Sequence, residues 1–391
     1  MTGADAAQRE TALRSRFREL AGTTEAHVAF APGRINLIGE HTDYTGGWVL
    51  PAGLALGTWV AAAPNGRDSL TVYSESQQEA TTLPLNAIPA QTRRHWSDYV
   101  AGVAWSLQQT GRTLRGATLY ICSDIPIGSG LSSSASLEVA VARALLTVAD
   151  LQMAPVDIAL ACQRAENEYV GARCGIMDQF AATHARRGQA LLLDCGNLAW
   201  AGVPLPTTHR WIVANTMVRH ALAYGEYNVR RAECETVVAE AARLLPHRRR
   251  LADLDHVEAA RLARILSPRL AARLRHVVSE NRRVLETVRM LHSGDVAGVG
   301  RLLVASHQSL RDDFNVSCPE LDSMVELAMP IPGVVGTRMI GGGFGGCTLS
   351  LVTAAQADIV VERLGSAYAR LHGRKPSVFI CDLSGAEGSK P

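Results

Sequence analysis

Short apolar runs alternate with longer helical patterns along the first half of the chain. Residues 93–109 repeat apolar side chains at helical spacing, and Pro155 suits the first turn of a helix that continues to about residue 170. Short segments that lack this spacing predict strands, at residues 27–30, 58–63, 70–74, 117–123 and 190–194. The mixture favours α+β or α/β layers.

The second half of the chain has a different pattern. After a predicted strand at 211–215, residues 227 to about 327 are mostly helical, and strand patterns return at 334–340, 347–352 and 377–383. A proline-spaced connector, Pro204 to Pro206, separates the two halves. We therefore predict two domains, residues 1–205 and 206–391.

Composition limits the classes of protein that fit. The 391 residues are 47% hydrophobic and 19% charged, with a net charge of +2, as expected for one large globular domain or two intimate ones. The arginine clusters lie among carboxylates without an aromatic-rich basic stripe, so we expect no nucleic-acid partner.

The N-terminus lacks the apolar core of a signal peptide, and no run approaches the ~20 apolar residues of a membrane span. We expect no membrane association and a cytoplasmic location. The eight cysteines include no Cys-x-x-Cys pair, which predicts reduced core thiols.

Residues 126–136 form the first of three chemically informative segments, with the sequence Pro-Ile-Gly-Ser-Gly-Leu-Ser-Ser-Ser-Ala-Ser. The glycines allow backbone N–H groups to converge on an anion, and the helical run that follows adds a favourable dipole, so the segment predicts a phosphate-binding loop. The alternative is a serine-rich helix cap. Lys375 and Lys390 are the only lysines, which excludes a P-loop or protein-kinase lysine. A bound nucleotide would need backbone amides, a metal and arginine.

The second segment, residues 31–44, places six polar or charged side chains in the ten positions from Arg34 to Asp43. Each has an ordinary alternative: Arg34 in a surface ion pair, His41 as a satisfied hydrogen-bonding group, and Asp43 in a turn. Apolar flanks nevertheless indicate burial. Carboxylates and an imidazole in a partly dry pocket suit a sugar, whose hydroxyls both donate and accept hydrogen bonds.

The third segment, residues 340–347, has five glycines within 341–346. A flexible hairpin is one interpretation, but a hairpin needs only one or two glycines. Close approach of this backbone to a ligand or to the first loop explains the composition better.

The three segments together resemble those of the galactokinases, of the GHMP kinase superfamily. Residues 33–44 fit the galactokinase signature, 126–135 the superfamily's ATP loop and 341–346 its third glycine motif. Similarity continues through 174–180 and 226–231, so the resemblance spans roughly residues 25 to 384. One departure is Thr45, where galactokinases usually have Asn.

The resemblance implies a fold and a reaction. The fold would be the α+β GHMP kinase two-domain fold, with an N-terminal ribosomal-protein-S5-like α/β domain, a C-terminal α+β domain and an active site in the interdomain cleft. The reaction would be ATP-dependent phosphorylation of the C1 hydroxyl of α-D-galactose, the entry step of the Leloir pathway. The partners would be galactose and ATP, with Mg²⁺ as cofactor, and we expect a monomer.

The resemblance also implies site residues. Asp178 would be the general base and Arg34 its cationic neighbour, which keeps the carboxylate ionised and neutralises phosphoryl charge. Whether Asp178 removes the proton or mainly positions the hydroxyl stays open, and a helix cap is its structural alternative. Galactose would contact Arg34, Glu40, His41, Thr42, Asp43, Gly175, Asp178 and Tyr227, and ATP would contact Gly128, Ser129, Gly130, Leu131, Ser132, Ser133 and Ser134.

Mg²⁺ would be held by Ser134 and Glu166, because a hydroxyl and a carboxylate supply the oxygen ligands that this ion prefers. For Glu166, an exposed helix position is the alternative. Two other functions remain open: a kinase for a related sugar, N-acetylgalactosamine or galacturonate, and a non-catalytic sensor of galactose and ATP. The intact set of Arg34, Ser134, Glu166 and Asp178 argues against the sensor.

Overall fold

The structure is a computed structural model, and it describes residues 3–23, 25–88, 95–126, 130–219, 223–246, 248 and 250–383. Its elements alternate strands with helices in the first half and gather most helices between strands in the second half. Two main sheets and one small sheet result.

The N-terminal half contains a five-stranded sheet in the order β1-β3-β6-β4-β5 and a three-stranded sheet in the order β2-β7-β8. All neighbouring strands are antiparallel except β4 and β6. The elements are α1 (Gly3–Ala21), β1 (His27–Asn36), β2 (Trp48–Val49), β3 (Pro51–Pro64), β4 (Ser69–Ser74), β5 (Glu79–Pro84), α2 (Ser97–Gln109), β6 (Ala117–Ser123), α3 (Ser133–Val148), α4 (Pro155–Arg164), α5 (Met177–His184), β7 (Gln189–Asp194) and β8 (Trp200–Pro204), with a π-helical turn, Ala165–Val170, after α4.

The C-terminal half contains a four-stranded antiparallel sheet in the order β10-β11-β9-β12. Its elements are β9 (His209–Arg219), α6 (Ala223–Leu244), α7 (His256–Ala263), α8 (Pro268–Ser293), α9 (Val296–Asp312), α10 (Pro319–Ala328), β10 (Val334–Ile340), β11 (Gly345–Thr353), α11 (Ala357–His372) and β12 (Ser377–Cys381).

Strand β3 shows why the five-stranded sheet is covered on both faces. Successive side chains of a strand point to opposite faces. Val60 and Ala62 join the core formed with helices α2 to α4, whereas Trp59 and Ala61 pack in a second cluster with Phe17 of α1. A strand with apolar residues on both faces forms because both faces are buried.

The two halves share an apolar core. Ile35 at the end of β1 and Leu37 just after it belong to one cluster with Val213 of β9 and Leu349 of β11. The predicted boundary at residue 205 falls in the connection between β8 and β9, which belong to different sheets. Burial across this junction fixes the residues that follow β1 against the C-terminal sheet.

Most predicted strands form, but the first is longer than the pattern indicated. The prediction of 27–30 was wrong at its end, because β1 continues to Asn36 and pairs with β3 as far as Pro51, with an irregularity between Pro32 and Arg34. Arg34 is therefore a strand residue. The helix predicted at 155–170 divides into α4 and the π-helical turn, and no pattern had predicted α1, β5 or β8.

All eight cysteines lie within the described ranges as free thiols, and six of them are buried, while Cys174 and Cys195 are partly exposed. None of the helices that the structure describes is both long enough and apolar enough to cross a membrane.

Candidate active site

A cavity of about 230 Å³ opens between the two halves. The end of β1, the loop after it and the start of α5 form one wall, while α6 and the glycine-rich turn before β11 form the other. Its lining is rich in charged and aromatic side chains and consists of Arg34, Glu40, His41, Asp43, Tyr44, Glu166, Ala172, Cys174, Gly175, Met177, Asp178, Tyr227, Asn228, Gly341 and Gly342.

Arg34 and Asp178 form a two-pronged ion pair in this cavity. Arg34 Nε donates to Asp178 Oδ1 and Nη2 donates to Oδ2, both at 2.9 Å. Arg34 is almost completely buried, whereas 26% of the Asp178 side chain is exposed. Because a guanidinium fork fixes a carboxylate in one plane, the Asp178 carboxylate is held in one orientation toward the cavity.

Ser132 makes the third hydrogen bond to Asp178, through its hydroxyl to Oδ2 at 2.6 Å. A carboxylate has about four acceptor sites, so one remains available. The helix-cap interpretation of Asp178 is not supported: the N-cap residue of α5 is Ile176, and no side chain caps that helix. Ser132 likewise occupies the N-cap position of α3 without a side-chain capping bond.

Asp43 rests against the backbone of Gly175. A β-carbon on Gly175 would overlap the Asp43 carboxylate, so this position needs a glycine for space. Burial, and then the nearby charge of Asp178, raise the pKa of Asp43 to about 6, while the Tyr44 backbone N–H and the charges of Arg34 and Arg231 oppose the shift.

His41 packs in an aromatic group with Tyr44 and Tyr227. Its Nδ1 lies 2.8 Å from the Tyr44 hydroxyl, and its ring centroid is 5.6 Å from that of Tyr227. Burial, and then His276, lower the pKa of His41 to about 3, so the imidazole is neutral at physiological pH. A neutral imidazole and two phenols give this wall apolar faces with polar edges.

Glu40 is buried at the back of the cavity, where its carboxylate accepts hydrogen bonds from Arg338 Nη2 at 2.8 Å and from the Gly341 N–H at 2.9 Å. Thr42 is different. Its hydroxyl lies 2.8 Å from the backbone oxygens of both Gly39 and Trp48, which share its single proton, and Thr42 does not line the cavity. The Thr42 hydroxyl therefore binds the backbone on either side of it in the chain rather than facing the cavity.

The loop before α3 lies beside the Arg34–Asp178 pair. Arg34 Nη1 donates to the Gly130 oxygen at 2.5 Å, and the Arg34 N–H donates to the Leu131 oxygen at 3.1 Å. Ser133 and Ser134 begin α3, so their N–H groups belong to its first turn. Gly128 and Ser129, also predicted to contact ATP, lie outside the described residues.

The glycine-rich turn approaches this loop, as expected. A β-carbon built on Gly341 would lie 3.5 Å from the α-carbon of Gly130. Gly343 has a φ of +82°, and a β-carbon there would overlap the Val316 oxygen, so both its conformation and its space require glycine. The two loops thus form adjoining parts of one cleft.

Glu166 lies in the π-helical turn and is almost completely buried, so the exposed-helix interpretation was wrong. Gln179 Nε2 donates to Glu166 Oε2 at 2.6 Å and to Glu138 Oε2 at 3.0 Å. Burial raises the pKa of Glu166, and a hydrogen bond from Ser134 opposes this shift. Ser134 and Glu166, the two predicted metal ligands, are therefore neighbours.

This pair fits Mg²⁺ in donor type, since both donors are oxygens. Within the part of the chain that the structure describes, no group of three or more His, Cys, Asp or Glu side chains is arranged to hold a metal. A site with two protein oxygens is completed by substrate phosphates and water, which is the usual coordination of Mg²⁺ beside a nucleotide.

Several neighbours of the site were not predicted. Arg338 contacts Glu40, and Gln179 contacts Glu166. In the sequence both residues stand in ordinary strand and helix patterns, so only their burial in the folded structure distinguishes them. Tyr44 is the last residue of the second segment, residues 31–44, and no role was predicted for it. Its ring now forms part of the cavity wall.

Comparison with known proteins gives the family. Three family signatures match: the galactokinase galactose-binding signature at residues 15–64, the GHMP kinases N terminal domain at 98–186 and the GHMP kinases C terminal domain at 287–370. A galactokinase of Chloroflexus aurantiacus is 44% identical over 369 residues, which cover 94% of this chain and 95% of that protein. The chain belongs to the galactokinase family. The resemblance inferred from the three glycine-bearing segments is thereby confirmed.

Solved structures agree with this assignment. The structure of Lactococcus lactis galactokinase complexed with galactose matches with a TM-score of 0.92 and 35% identity, covering 96% of this chain and 98% of that one. The mevalonate kinase of Methanococcus jannaschii matches with a TM-score of 0.66 at 17% identity, covering 92% and 98%, and shows the shared fold. The predicted GHMP kinase fold is confirmed.

Proposed function

We propose that this chain transfers the γ-phosphoryl group of ATP to the C1 hydroxyl of α-D-galactose, giving galactose 1-phosphate and ADP. Membership of the galactokinase family supports the reaction. The geometric support is the Arg34–Asp178 pair, which presents an oriented carboxylate to a polar cavity beside the loop of the predicted ATP site.

Asp178 acts on the attacking hydroxyl. Its free acceptor site receives the hydrogen bond of the C1 hydroxyl, so the proton can pass to Asp178 as the sugar oxygen forms its bond to phosphorus. The bond between the γ-phosphorus and the bridging oxygen breaks, and ADP leaves with the electron pair. Whether the proton moves early or late does not alter this balance.

Arg34 has two tasks at this point. Its fork keeps Asp178 oriented, and its permanent charge lies where negative charge spreads over the equatorial oxygens of a loose transition state. The chain has only two lysines, Lys375 and Lys390, so arginine and backbone N–H groups supply the positive potential that other kinases obtain from lysine.

The galactose hydroxyls distant from C1 are bound by the polar lining. Asp43 and Glu40 accept hydrogen bonds, His41 and Tyr227 present polar edges, and Gly175 leaves space beside Asp43. Thr42 contributes by fixing the loop that holds these groups.

ATP is the phosphoryl donor, bound with its phosphates at the loop from Gly128 to Ser134. The N–H groups at the start of α3 and the dipole of this 16-residue helix favour the anion. Ser134 and Glu166 would hold Mg²⁺, and the ion when bound neutralises phosphate charge and orients the γ-phosphoryl group. Gln179 orients Glu166 for this task.

The reaction is tested by steady-state ADP release in the presence of D-galactose, MgCl₂ and ATP. We expect sugar-dependent turnover far above the rate without sugar. A chain that binds galactose and ATP but releases no ADP would instead be a sensor. We also propose that the enzyme is monomeric and cytoplasmic, and light scattering after gel filtration tests the first of these points.

A further inference from the structure

Arg338 lies in β10 behind the sugar cavity, and a role for it rests on the proposed function. We propose that Arg338 is a positioning residue that holds Glu40 as a hydrogen-bond acceptor in the galactose site, and thereby helps to determine which pattern of sugar hydroxyls the enzyme accepts.

The Arg338 side chain is completely buried, and its contacts converge on one stretch of chain. Nη2 donates to Glu40 Oε2 at 2.8 Å, while Nη1 donates to the backbone oxygens of Asn36 and Leu37, both at 3.1 Å. One planar guanidinium therefore clamps both the Glu40 carboxylate and the backbone that leads to it. A lysine ammonium lacks the fixed fork that this arrangement needs.

The remaining contacts of Glu40 complete its orientation. Asn36 Nδ2 donates to Oε2, and the Gly341 N–H donates to Oε1 at 2.9 Å. Three of about four acceptor sites of the carboxylate are then occupied, and Glu40 lines the cavity. The site that remains can accept one hydrogen bond from a ligand hydroxyl but cannot donate one.

Charge determines that acceptor character. Burial raises the pKa of the Glu40 carboxyl, and the Arg338 guanidinium opposes the shift. Without Arg338, a buried carboxyl that lacks its counter-ion takes up a proton and presents a donor to the cavity. A sugar hydroxyl oriented to donate would then lose its partner.

The contacts of Arg338 also join the two halves of the molecule. Arg338 and Gly341 belong to the C-terminal half, whereas Asn36, Leu37 and Glu40 belong to the N-terminal half. Arg338 does not line the cavity, so its effect on galactose passes through Glu40.

The test compares Arg338→Met and Arg338→Lys with the wild type, using Arg143→Lys as the matched control. Arg143 also donates to two backbone oxygens, those of Phe30 and Thr183, and does not line the cavity. For each protein we would measure kcat, the KM values for galactose and ATP, and kcat/KM for galactose analogues that each lack one hydroxyl. Circular dichroism establishes that each variant is folded, and Arg338→Lys serves alone if Arg338→Met does not fold.

We expect Arg338→Met to raise the KM for galactose ~10-fold or more, with kcat and the KM for ATP within ~3-fold of the wild type. Arg338→Lys should have an intermediate effect, and Arg143→Lys none. One deoxygalactose should lose ~10-fold or more in the wild type and much less in the Arg338 variants, because its missing hydroxyl is the one that Glu40 accepts.

Folded Arg338 variants with the wild-type KM for galactose, or with unchanged losses for every deoxygalactose, would overturn the role of Arg338 while leaving the proposed function intact. A fall in kcat alone would overturn it equally. A wild-type chain that does not phosphorylate galactose would overturn the proposed function, and the role of Arg338 with it.

Discussion

Asp178 is bound by three donors from two side chains, Arg34 and Ser132, and keeps one acceptor site toward the cavity. Asp178→Asn retains the shape of the side chain but removes its charge and basicity. We expect kcat to fall by ~10² or more, the usual contribution of a general base, while galactose and ATP still bind. Stopped assays of ADP release and calorimetric titrations check both parts. Near wild-type turnover at saturating substrates would remove Asp178 from the mechanism.

A substitution of Arg34 can separate the effect of its planar guanidinium geometry from the effect of its positive charge. Arg34→Lys keeps the positive charge, but a lysine cannot donate to both oxygens of Asp178 and to the Gly130 oxygen in one plane. We expect a fall in kcat much larger than the loss of galactose affinity, the pattern of an interaction made chiefly in the transition state. Loss of affinity with an unchanged kcat would show that Arg34 only holds the sugar.

Asp43 makes the stability of the ligand-free protein depend on pH. Its pKa is raised to about 6 in the folded chain by burial and by Asp178, whereas the unfolded chain has the ordinary value near 3.8. The folded state thus binds the proton more tightly, and its stability falls as pH rises between these two values. Arg34 and Arg231 are the cations that oppose the shift.

Asparagine has no carboxyl group to titrate, so Asp43→Asn removes the loss of stability that accompanies deprotonation of Asp43. The Tm of this variant without sugar should therefore exceed that of the wild type by several degrees at pH 7. The difference should shrink as pH falls through 6 toward 4. Scanning calorimetry of both proteins across this range measures it. A Tm difference that is constant with pH would contradict the raised pKa of Asp43.

The types of residue in one short segment predicted part of this site. The contacts between residues far apart in the chain could not be predicted from local sequence. The density of polar groups from Arg34 to Asp43 indicated a pocket, because so many polar side chains rarely share a buried segment. No local pattern could pair Arg34 with Asp178, since 144 positions separate them. The family resemblance predicted that Arg34 and Asp178 are neighbours. It did not point to Arg338, which stands out only because it is buried against Glu40 in the folded structure.

At the scale of elements, the loop from Gly171 to Ile176 connects the π-helical turn, which carries Glu166, to α5, which carries Asp178. The two elements are neighbours, because Gln179 of α5 donates to Glu166. Gly175→Ala inserts a methyl group into the Asp43 carboxylate, so we expect the KM for galactose to rise ~10-fold or more with the KM for ATP nearly unchanged. Gly188→Ala is the control, because Gly188 has a positive φ but open space around it, and it should lower only Tm. Equal galactose KM values for the two variants would show that the Gly175–Asp43 contact does not shape the sugar site.

Elements with a clear period were predictable, and irregular ones were not. Helix α2 and strands β6 and β10 follow their apolar patterns closely. The extension of β1 past Phe30 runs through Pro32 and Gly33, which suggest a strand end, and its pairing with β3 overrides that local preference. The π-helical turn that follows α4 has no sequence period of its own that would distinguish it from the end of an α-helix.

At the scale of the whole molecule, two halves with a common core hold a polar cavity between them. The change of pattern near residue 205 predicts two domains, and this division stays a prediction. The assembly of the cavity depends on contacts between positions about 300 residues apart, such as Glu40 with Arg338 and Gly341, which no local preference specifies. Substrate choice is therefore a property of the assembled molecule.

Phosphorylation of galactose at C1 is tested most sharply by kcat/KM for galactose, glucose, N-acetylgalactosamine and galacturonate, with the position of the new phosphate determined by NMR. We predict that galactose is the best substrate and is phosphorylated at C1. Glucose, which differs at C4, should be at least ~10²-fold poorer, because two buried groups that lose a partner cost ~1 to 3 kcal/mol each. A higher kcat/KM for N-acetylgalactosamine or galacturonate, or a phosphate at any other carbon of galactose, would show that the enzyme is not a galactose 1-kinase.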